Sequence, residues 1–339
     1  MSIYYLRTSI PWFGNYTGYE QLTKFIEINV SISPKSGIVP RARGKLVSIL
    51  RGYGKGPQHL VDALWRYERA LLKEPNSFGH ILYAEHFLRF IPKMPKFVLE
   101  RTVFTFHQPP SQWSTETLQY LRFVKHSIFL YTKDLDFFSI YLKPPPQTIL
   151  YGVDTDFFTP PVVYPQLRIL FAGVHLRNLK MLRKVIEELQ SLHQELAFDF
   201  LVPVHHRLRD EFQALADLKN ITWHAGLSDE GLRKLYQESY LLLLPMNDSG
   251  ANTAVVEALA CGLPIVTTDV GGIREYGGGI VFHVVENDDV RSMVELVNQY
   301  IVDRQFRDQI AQASRKFADE KLSWDIIAKQ YISLYQSIQ

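Results

Sequence analysis

The sequence predicts an α/β protein built from two doubly wound domains. Its 339 residues are about twice the length of a typical domain. In the C-terminal half, short apolar segments alternate with helical ones, which is typical of a parallel sheet covered on both faces. Residues 143–166 hold six of the 18 prolines and indicate a stiff connection between domains. We therefore expect ligands to bind in a cleft that the carboxyl edges of both sheets face.

The N-terminal half is less regular, and five short segments in it are predicted to be strands because they are apolar and bounded by turn residues. They are Ser2–Ser9, His80–Glu85, Thr102–His107, Ile128–Thr132 and Thr148–Val153. A helical pattern, Tyr19–Ile28, follows the first strand after a glycine-bounded turn. We expect residues 1–150 to form the N-terminal domain.

The C-terminal half alternates strands and helices more regularly. Its predicted strands are Leu167–Gly173, Ala197–Val202, Ile221–Ala225, Tyr240–Pro245, Leu263–Asp269 and Gly279–Val284. Its predicted helices are Asn178–Gln194, Arg207–Leu218, Glu230–Ser239 and Thr253–Cys261. Beyond residue 289 the pattern is helical, with Trp324, Ile327, Tyr331 and Leu334 at helix spacing. We expect residues 151–320 to form the second domain and residues 321–339 to form a C-terminal helix.

The composition excludes several classes of protein. An apolar content of 46% excludes a wholly disordered chain. The single cysteine, Cys261, excludes an intramolecular disulfide framework and a cysteine-cluster zinc site. A net charge of +2 does not favour nucleic-acid binding. No apolar run approaches the ~18 residues of a spanning helix, and the N-terminus lacks the pattern of a secretory signal. We therefore expect a cytoplasmic protein.

The positive charge is concentrated near the N-terminus. Residues 1–160 carry a net charge of +7 and residues 161–339 carry −5. The segment Ser31–Val61 contains no acid and six basic residues: Lys35, Arg41, Arg43, Lys45, Arg51 and Lys55. Two interpretations stay open, a solvated loop without a particular role and a patch that binds an anionic membrane surface at the inner face of the membrane.

Two loops have residues that suit a ligand at the end of a strand. In the turn 14–18, Gly14 and Gly18 would let an anion approach the backbone at a helix N-terminus. A second turn joins the strand ending at Pro245 to the following helix and contains Asp248, Ser249, Gly250, Asn252 and Thr253. These side chains suit ligand hydroxyls, but they equally suit capping of the helix.

Three charged residues are candidates for contacts with a nucleotide. Glu257, in the first turns of that same helix, is either structural or an acceptor for ribose hydroxyls. Arg177 and Lys180 follow the strand that ends at Gly173, where a guanidinium and an ammonium suit a diphosphate. The alternative for this pair is two exposed helix residues.

Four stretches resemble the retaining GT-B glycosyltransferases of glycosyltransferase family 4, the group 1 glycosyltransferases. They are L-Y-Q-E-S-Y-L-L-L-L-P, E-A-L-A-C-G-L-P-I-V-T-T-D-V-G-G-I-R-E-Y, Y-G-V-D-T-D-F-F-T-P and S-W-D-I-I-A-K-Q-Y. The resemblance covers nearly all of residues 147–339 and is thinner before them. It implies two Rossmann-like domains, an N-terminal one for the acceptor and a C-terminal one for a nucleotide sugar. It also implies that the C-terminal helix packs back on the N-terminal domain.

The resemblance also implies a reaction. The donor would be a UDP-, GDP- or ADP-sugar, with no other cofactor and no metal, and the acceptor a saccharide or a lipid-linked sugar. Glu257 would hold the ribose, Arg177 and Lys180 would stabilise the leaving diphosphate, and His107 would contact the donor sugar. Attack on the face that the diphosphate leaves would retain the configuration of the sugar, so no protein nucleophile is needed.

One position departs from the family pattern. The family usually has an acid eight residues before the position of Glu257, and this chain has Ser249 there, beside Asp248. The alternative is therefore a catalytically inactive GT-B module that acts as a binding or assembly partner.

Overall fold

The chain forms two compact units, each with its own parallel sheet. The structure is a computed structural model, and it describes residues 2–8, 10, 13–27, 29–54 and 56–338. The first unit comprises Met1–Pro11, Tyr19–Leu150 and Ile327–Gln339, and the second comprises Trp12–Gly18 and Tyr151–Ile326. The predicted boundaries between independently folding domains stay a prediction.

Six parallel strands form the sheet of the first unit in the order β2-β1-β3-β4-β5-β6. They are β1 (Ile3–Leu6), β2 (Asn29–Ile32), β3 (Phe78–Ile81), β4 (Thr102–Phe106), β5 (His126–Phe129) and β6 (Gln147–Thr148). Every residue of β1 and β4 is buried, because helices cover both faces of the sheet. The edge strand β2 is exposed at Val30 and Ser31, and the sequence analysis missed it.

The helices of this unit differ from the prediction near the N-terminus. They are α1 (Ile38–Arg51), α2 (Gln58–Lys73), α3 (Lys96–Glu100), α4 (Thr115–Tyr120) and α5 (Leu135–Ser139), with 3₁₀ turns at Tyr19–Lys24, Ala84–Lys93, Pro110–Gln112 and Leu121–Phe123. The helical pattern predicted to start at Tyr19 is a single 3₁₀ segment, and the end of the pattern, Ile28, lies outside the described residues. The strand predicted at His80–Glu85 was placed too late, because the chain leaves the sheet after Ile81 and Glu85 lies in a 3₁₀ turn.

The second unit has a parallel sheet in the order β12-β11-β10-β7-β8-β9. Its strands are β7 (Arg168–Ala172), β8 (Ala197–Leu201), β9 (Ile221–His224), β10 (Leu241–Leu244), β11 (Ile265–Thr268) and β12 (Val284–Val285). The chain runs outward from β7 on one side and from β10 on the other, so the strand order reverses between these two neighbours. Ligands bind outside the carboxyl ends of the strands at such a reversal.

The helices of the second unit follow the predicted pattern with two corrections. They are α6 (Leu179–Leu192), α7 (Asp210–Gln213), α8 (Asp229–Glu238), α9 (Thr253–Ala260), α10 (Val290–Val302) and α11 (Arg304–Phe317), with 3₁₀ turns at Val204–His206 and Gly271–Tyr276 and a π turn at Ala318–Leu322. The helix predicted at Arg207–Leu218 is only the four-residue α7. The strand predicted at Gly279–Val284 is mostly a turn, because the chain folds back at Gly277 and Gly279, which have φ of 99° and 77°.

A buried carboxylate links three neighbouring strands of the second sheet. Asp199 of β8 accepts two hydrogen bonds from Arg168, at 2.6 and 2.8 Å, and one from His224 at 2.6 Å. These partners hold the pKa of Asp199 below its ordinary value against the opposing effect of burial.

The last helix, α12 (Trp324–Ser337), ends in the first unit. The Tyr335 hydroxyl lies 2.6 Å from His80 Nδ1 and 3.1 Å from the Tyr5 hydroxyl, while the Tyr331 hydroxyl meets that of Tyr19. These buried hydroxyls all find partners, so the helix is fixed by specific hydrogen bonds as well as by apolar contact. Together the two sheets and their covering helices confirm the predicted α/β class.

Candidate active site

The loops that follow β7 and β10 are joined at the carboxyl edge of the second sheet. The backbone amide of Asn178 donates to the Pro245 carbonyl at 2.9 Å, and the backbone amide of Asn247 donates to the Leu176 carbonyl at 2.9 Å. Asn178 also caps α6, because its Oδ1 accepts from the Met181 amide at 3.0 Å. Hydrogen bonds therefore hold the two loops together at the point where the strand order reverses, between β7 and β10.

The loop after β10 also contacts the loop after β11. The Gly272 amide donates to the Ser249 carbonyl at 2.8 Å, and a Cβ at Gly271 would lie 1.7 Å from that oxygen. Only glycine fits there, and Gly271 also has a φ of +51°. The Ser249 amide is held by Asp248 Oδ1 at 2.8 Å, and its hydroxyl donates to the Gly250 carbonyl at 3.0 Å. The turn that carries the predicted site residues is thus rigidly fixed.

Two residues of that turn support the start of α9. Asn252 Oδ1 accepts from the Ala254 amide at 3.1 Å, so the capping interpretation describes what this side chain does in the structure. The Thr253 hydroxyl donates to the Tyr151 hydroxyl at 3.3 Å.

Glu257 is buried in the middle of α9, with only 3% of its surface exposed. Its Oε2 accepts from the Tyr236 hydroxyl at 2.9 Å, and its Oε1 has no hydrogen-bond partner within 3.5 Å among the described residues. Burial raises the pKa of Glu257 to about 7; the hydroxyls of Thr17 and Tyr236 lower that pKa and the charge of Asp229 raises it. A buried carboxyl with one oxygen that lacks a well-formed hydrogen bond suits a ligand that brings hydroxyl groups.

The two predicted cations differ in their surroundings. The Arg177 guanidinium donates from Nε to the Ala172 carbonyl at 3.0 Å and from Nη1 to the His175 carbonyl at 2.8 Å. Burial lowers its pKa to about 10, so it stays charged at neutral pH. Lys180 is exposed in the first turn of α6 and has no ion-pair partner in the part of the chain that the structure describes. The helix dipole disfavours a cation in that turn, and a bound anion would relieve the cost.

The glycine-bounded turn 14–18 belongs to the second unit and packs on α8. Asp229 accepts from the backbone amide of Asn15 at 3.0 Å and from its side-chain amide at 3.1 Å. A Cβ at Gly14 would lie 1.8 Å from an oxygen of Asp229, so the group that approaches this glycine is a side chain of the protein itself. At the end of the turn, Gly18 has a φ of +104°, and Thr17 before it faces Glu257.

His107 follows β4 in the first unit and has a fixed orientation. Its Nε2 lies 2.7 Å from the Leu82 carbonyl, which can only accept, so Nε2 carries the proton. Its ring stacks on Tyr83 with centroids 4.4 Å apart. Burial lowers its pKa to about 4, which leaves a neutral ring with Nδ1 as an acceptor at pH 7. Glu85 accepts from the amides of His107 and Gln108 and holds the loop in place.

The possible metal ligands of the described residues do not form a cluster. Two Asp-x-Asp sequences occur, at 134–136 and 154–156. Across the described ranges, no group of three His, Cys, Asp or Glu side chains is placed to hold a metal ion. Within the same ranges, no helix has the length and apolar character needed to cross a membrane.

A family comparison finds a match for most of the second unit. Residues 166–303 match the family described as "Glycosyl transferases group 1". This match covers most of the second unit and about two fifths of the whole chain. The match contains the loops at the carboxyl ends of β7 and β10, including Arg177, Lys180 and Glu257, and it supports the resemblance to group 1 glycosyltransferases for this part of the chain.

The chain matches curated glycosyltransferases over only part of their length. The D-inositol 3-phosphate glycosyltransferase of Xylanimonas cellulosilytica is 28% identical over 233 residues, which are 61% of this chain and 52% of that protein. The MMP alpha-(1->4)-mannosyltransferase of Mycolicibacterium hassiacum is 28% identical over 114 residues, 33% of this chain and 28% of that protein. The chain thus spans about half of the first relative and about a quarter of the second.

A solved structure resembles the whole chain in fold. Anabaena HepE in complex with UDP and glucose superposes with a TM-score of 0.75 and 14% identity, covering 99% of this chain and 100% of that one. This likeness covers nearly the whole chain and confirms the predicted GT-B fold.

Two residues of the site were missed by the sequence analysis. Tyr236 holds one oxygen of Glu257, and Asp229 anchors the turn 14–18. Neither stands in a motif with a readable function, and Asp229 lies 214 residues from the asparagine it binds. Only the contacts of the folded chain reveal them.

Proposed function

We propose that the protein is a retaining glycosyltransferase that moves a sugar from a nucleoside-diphosphate donor to an acceptor hydroxyl, without a metal. The observation that carries this proposal is the buried Glu257 carboxyl, which has one oxygen held by Tyr236 and the other without a partner among the described residues. Vicinal ribose hydroxyls would supply the missing donors in a charge-assisted hydrogen bond.

The diphosphate would lie at the N-terminal ends of α6 and α9. Lys180 is exposed and unpaired within the described chain, and the charged Arg177 lies in the adjoining loop. Together with the first turn of α9 at Thr253, they would stabilise the charge that grows on the leaving diphosphate. Removing one such preorganised group typically lowers the rate by about 10²–10³-fold.

Retention would follow from attack on the face that the diphosphate leaves, with a phosphate oxygen taking the proton of the acceptor. The bond from the sugar carbon to the diphosphate breaks while the bond to the acceptor oxygen forms, so no protein nucleophile takes part. His107 would accept a hydrogen bond from a sugar hydroxyl through Nδ1, and Asp248 and Asn252 would bind other ligand hydroxyls.

The donor and the acceptor are proposed by class. Because Anabaena HepE was solved with UDP and glucose, UDP-sugars are the first donors to test, followed by GDP- and ADP-sugars. The relatives include an inositol-phosphate glycosyltransferase and a mannosyltransferase. We therefore propose a saccharide or a lipid-linked sugar as the acceptor.

A donor panel tests the proposal. Transfer is measured for each nucleotide sugar with mixed saccharide acceptors, with and without a chelator, and the anomeric configuration of the product is read by NMR. Lys180→Ala should lower kcat by about 10²-fold or more. Lys184→Ala, an exposed lysine one turn along α6, is the matched control and should change nothing.

Three results would count against the proposal. They are inversion of the sugar, loss of activity with the chelator, and equal rates for the two lysine variants. Tight nucleotide binding without any transfer would instead point to a binding module.

A further inference from the structure

Helix α1 exposes an apolar face that no described part of the chain covers. The exposed side chains are Ile38, Val39, Leu46, Ile49 and Leu50, with Ile38 at 86% and Leu50 at 74% exposure. At 100° per residue they fall within an arc of about 120° on one side of the helix. The opposite side, with Gly44, Val47 and Ser48, is buried. Apolar side chains gathered on one exposed face indicate a surface for binding.

Basic residues border this apolar arc. Of the six basic residues in the segment 31–61, Arg43 pairs with Asp62 and Arg51 with Glu68, while Lys55 lies outside the described residues. Lys35, Arg41 and Lys45 have no carboxylate partner in the described ranges. Arg41 and Lys45 are four residues apart, so they form a row along one edge of the arc.

The helix is held in this orientation by α2. Arg43 reaches Asp62 of α2, which is buried and also accepts from Arg66 at 3.0 Å. The Ser48 hydroxyl donates to the Gln58 side chain at 3.2 Å on the same side. Rotation of α1 to bury its apolar arc would break these bonds, so the arc stays outward.

We propose that α1 docks on the surface of a lipid bilayer that contains anionic lipids. Its 14 residues make a helix of about 21 Å, lying flat with the apolar arc at the acyl boundary and Arg41 and Lys45 at the headgroups. The positive charge around α1 favours an anionic bilayer, because residues 28–61 contain no Asp or Glu that would repel an anionic surface. The inference is independent of the transferase activity and concerns the first unit alone.

Vesicle sedimentation of the full chain tests the proposal. The probes are vesicles of phosphatidylcholine alone and of equal parts phosphatidylcholine and phosphatidylglycerol, each at low and high salt. Each basic residue near an anionic surface contributes about fivefold, so Arg41→Gln/Lys45→Gln should weaken binding to anionic vesicles by about 30-fold. Ile49→Gln/Leu50→Gln should weaken it by at least about tenfold. Both pairs are exposed, and glutamine keeps the helix.

Matched pairs elsewhere on the surface control for bulk charge and bulk hydrophobicity. Lys321→Gln/Lys329→Gln removes the same charge, and Val162→Gln/Val163→Gln removes an equally exposed apolar pair. Both should bind vesicles like the parent chain. Absence of binding to anionic vesicles at low salt would overturn the proposal, as would equal loss in the control pairs. A dimer that Ile49→Gln/Leu50→Gln dissociates, without vesicle binding, would assign the face to a second copy instead.

Discussion

The Glu257→Gln variant should make the protein more stable and a poorer enzyme, with a characteristic dependence on pH. Burial raises the pKa of Glu257 from its ordinary 4.5 to about 7. The carboxyl therefore favours the folded state while it is protonated, and this contribution is lost as the pH rises through 7. The size follows from about 1.4 kcal/mol per pKa unit, which gives about 3 kcal/mol for the full change.

Glutamine removes this cost while it preserves size and an acceptor for the Tyr236 hydroxyl. The gain in the free energy of unfolding should therefore be about 2–3 kcal/mol larger at pH 8 than at pH 5. Urea unfolding of the parent chain and the variant at both values measures it. Donor affinity should fall by at least about tenfold, because a neutral amide is a weaker acceptor for ribose hydroxyls than a carboxylate.

A matched variant separates stability from function. Burial also raises the pKa of Glu68, in α2, to about 7. Glu68→Gln should reproduce the direction of the pH effect on stability and leave donor affinity unchanged. If the stability gain of Glu257→Gln is the same at pH 5 and pH 8, the carboxyl is not buried as described and the reasoning is refuted.

Four further substitutions, one of them a matched control, test the packing around the sheets and the loop at His107. Asp199→Asn should lower the free energy of unfolding by about 2 kcal/mol by removing a buried carboxylate and leaving the half-buried Arg168 unpaired. Asp217→Asn, in an exposed pair, should cost under about 0.5 kcal/mol, and equal urea midpoints for the two variants would contradict this. Trp324→Ala should cost about 3–5 kcal/mol because this side chain is fully buried, and a smaller shift in thermal unfolding would count against the described packing. Glu85→Ala should lower kcat/KM, because the loop at His107 loses the carboxylate that holds its backbone amides. Full activity in this variant would contradict a role for that loop in the reaction.

The sequence predicts best where an apolar segment is short and sharply bounded. Leu241–Leu244 lies within one residue of the predicted strand, because a polar turn follows and every residue of the segment is buried. Helix α1 was missed, because its apolar residues form an exposed arc rather than a core stripe and because Pro40 and Gly44 lower its helix propensity. Local pattern thus predicts elements whose burial is local and misses those whose environment depends on the rest of the chain.

In the candidate site too, some features could be predicted from local sequence and others depend on tertiary contacts. Glu257 stands in a recognisable helix after a polar turn, so its position could be predicted. Its partner Tyr236 and its burial could not, because they arise from packing between α8 and α9. Arg177 was predicted to contact a diphosphate, and the sequence did not show that two of its donors bind backbone carbonyls. Lys180 is the less constrained of the pair. Sequence specifies the type of group, whereas the availability of that group depends on tertiary contacts.

The measurement that tests the central claim most directly is calorimetric binding of the preferred nucleoside diphosphate and of its 2′,3′-dideoxy analogue. Both ligands are compared on the parent chain and on Glu257→Gln. We predict that the parent chain prefers the ribose form by at least about tenfold and that the variant binds both forms equally, because a site built to pair with a hydroxyl rejects the analogue that lacks it. A variant that keeps the preference of the parent chain would contradict the assignment of Glu257 to the ribose.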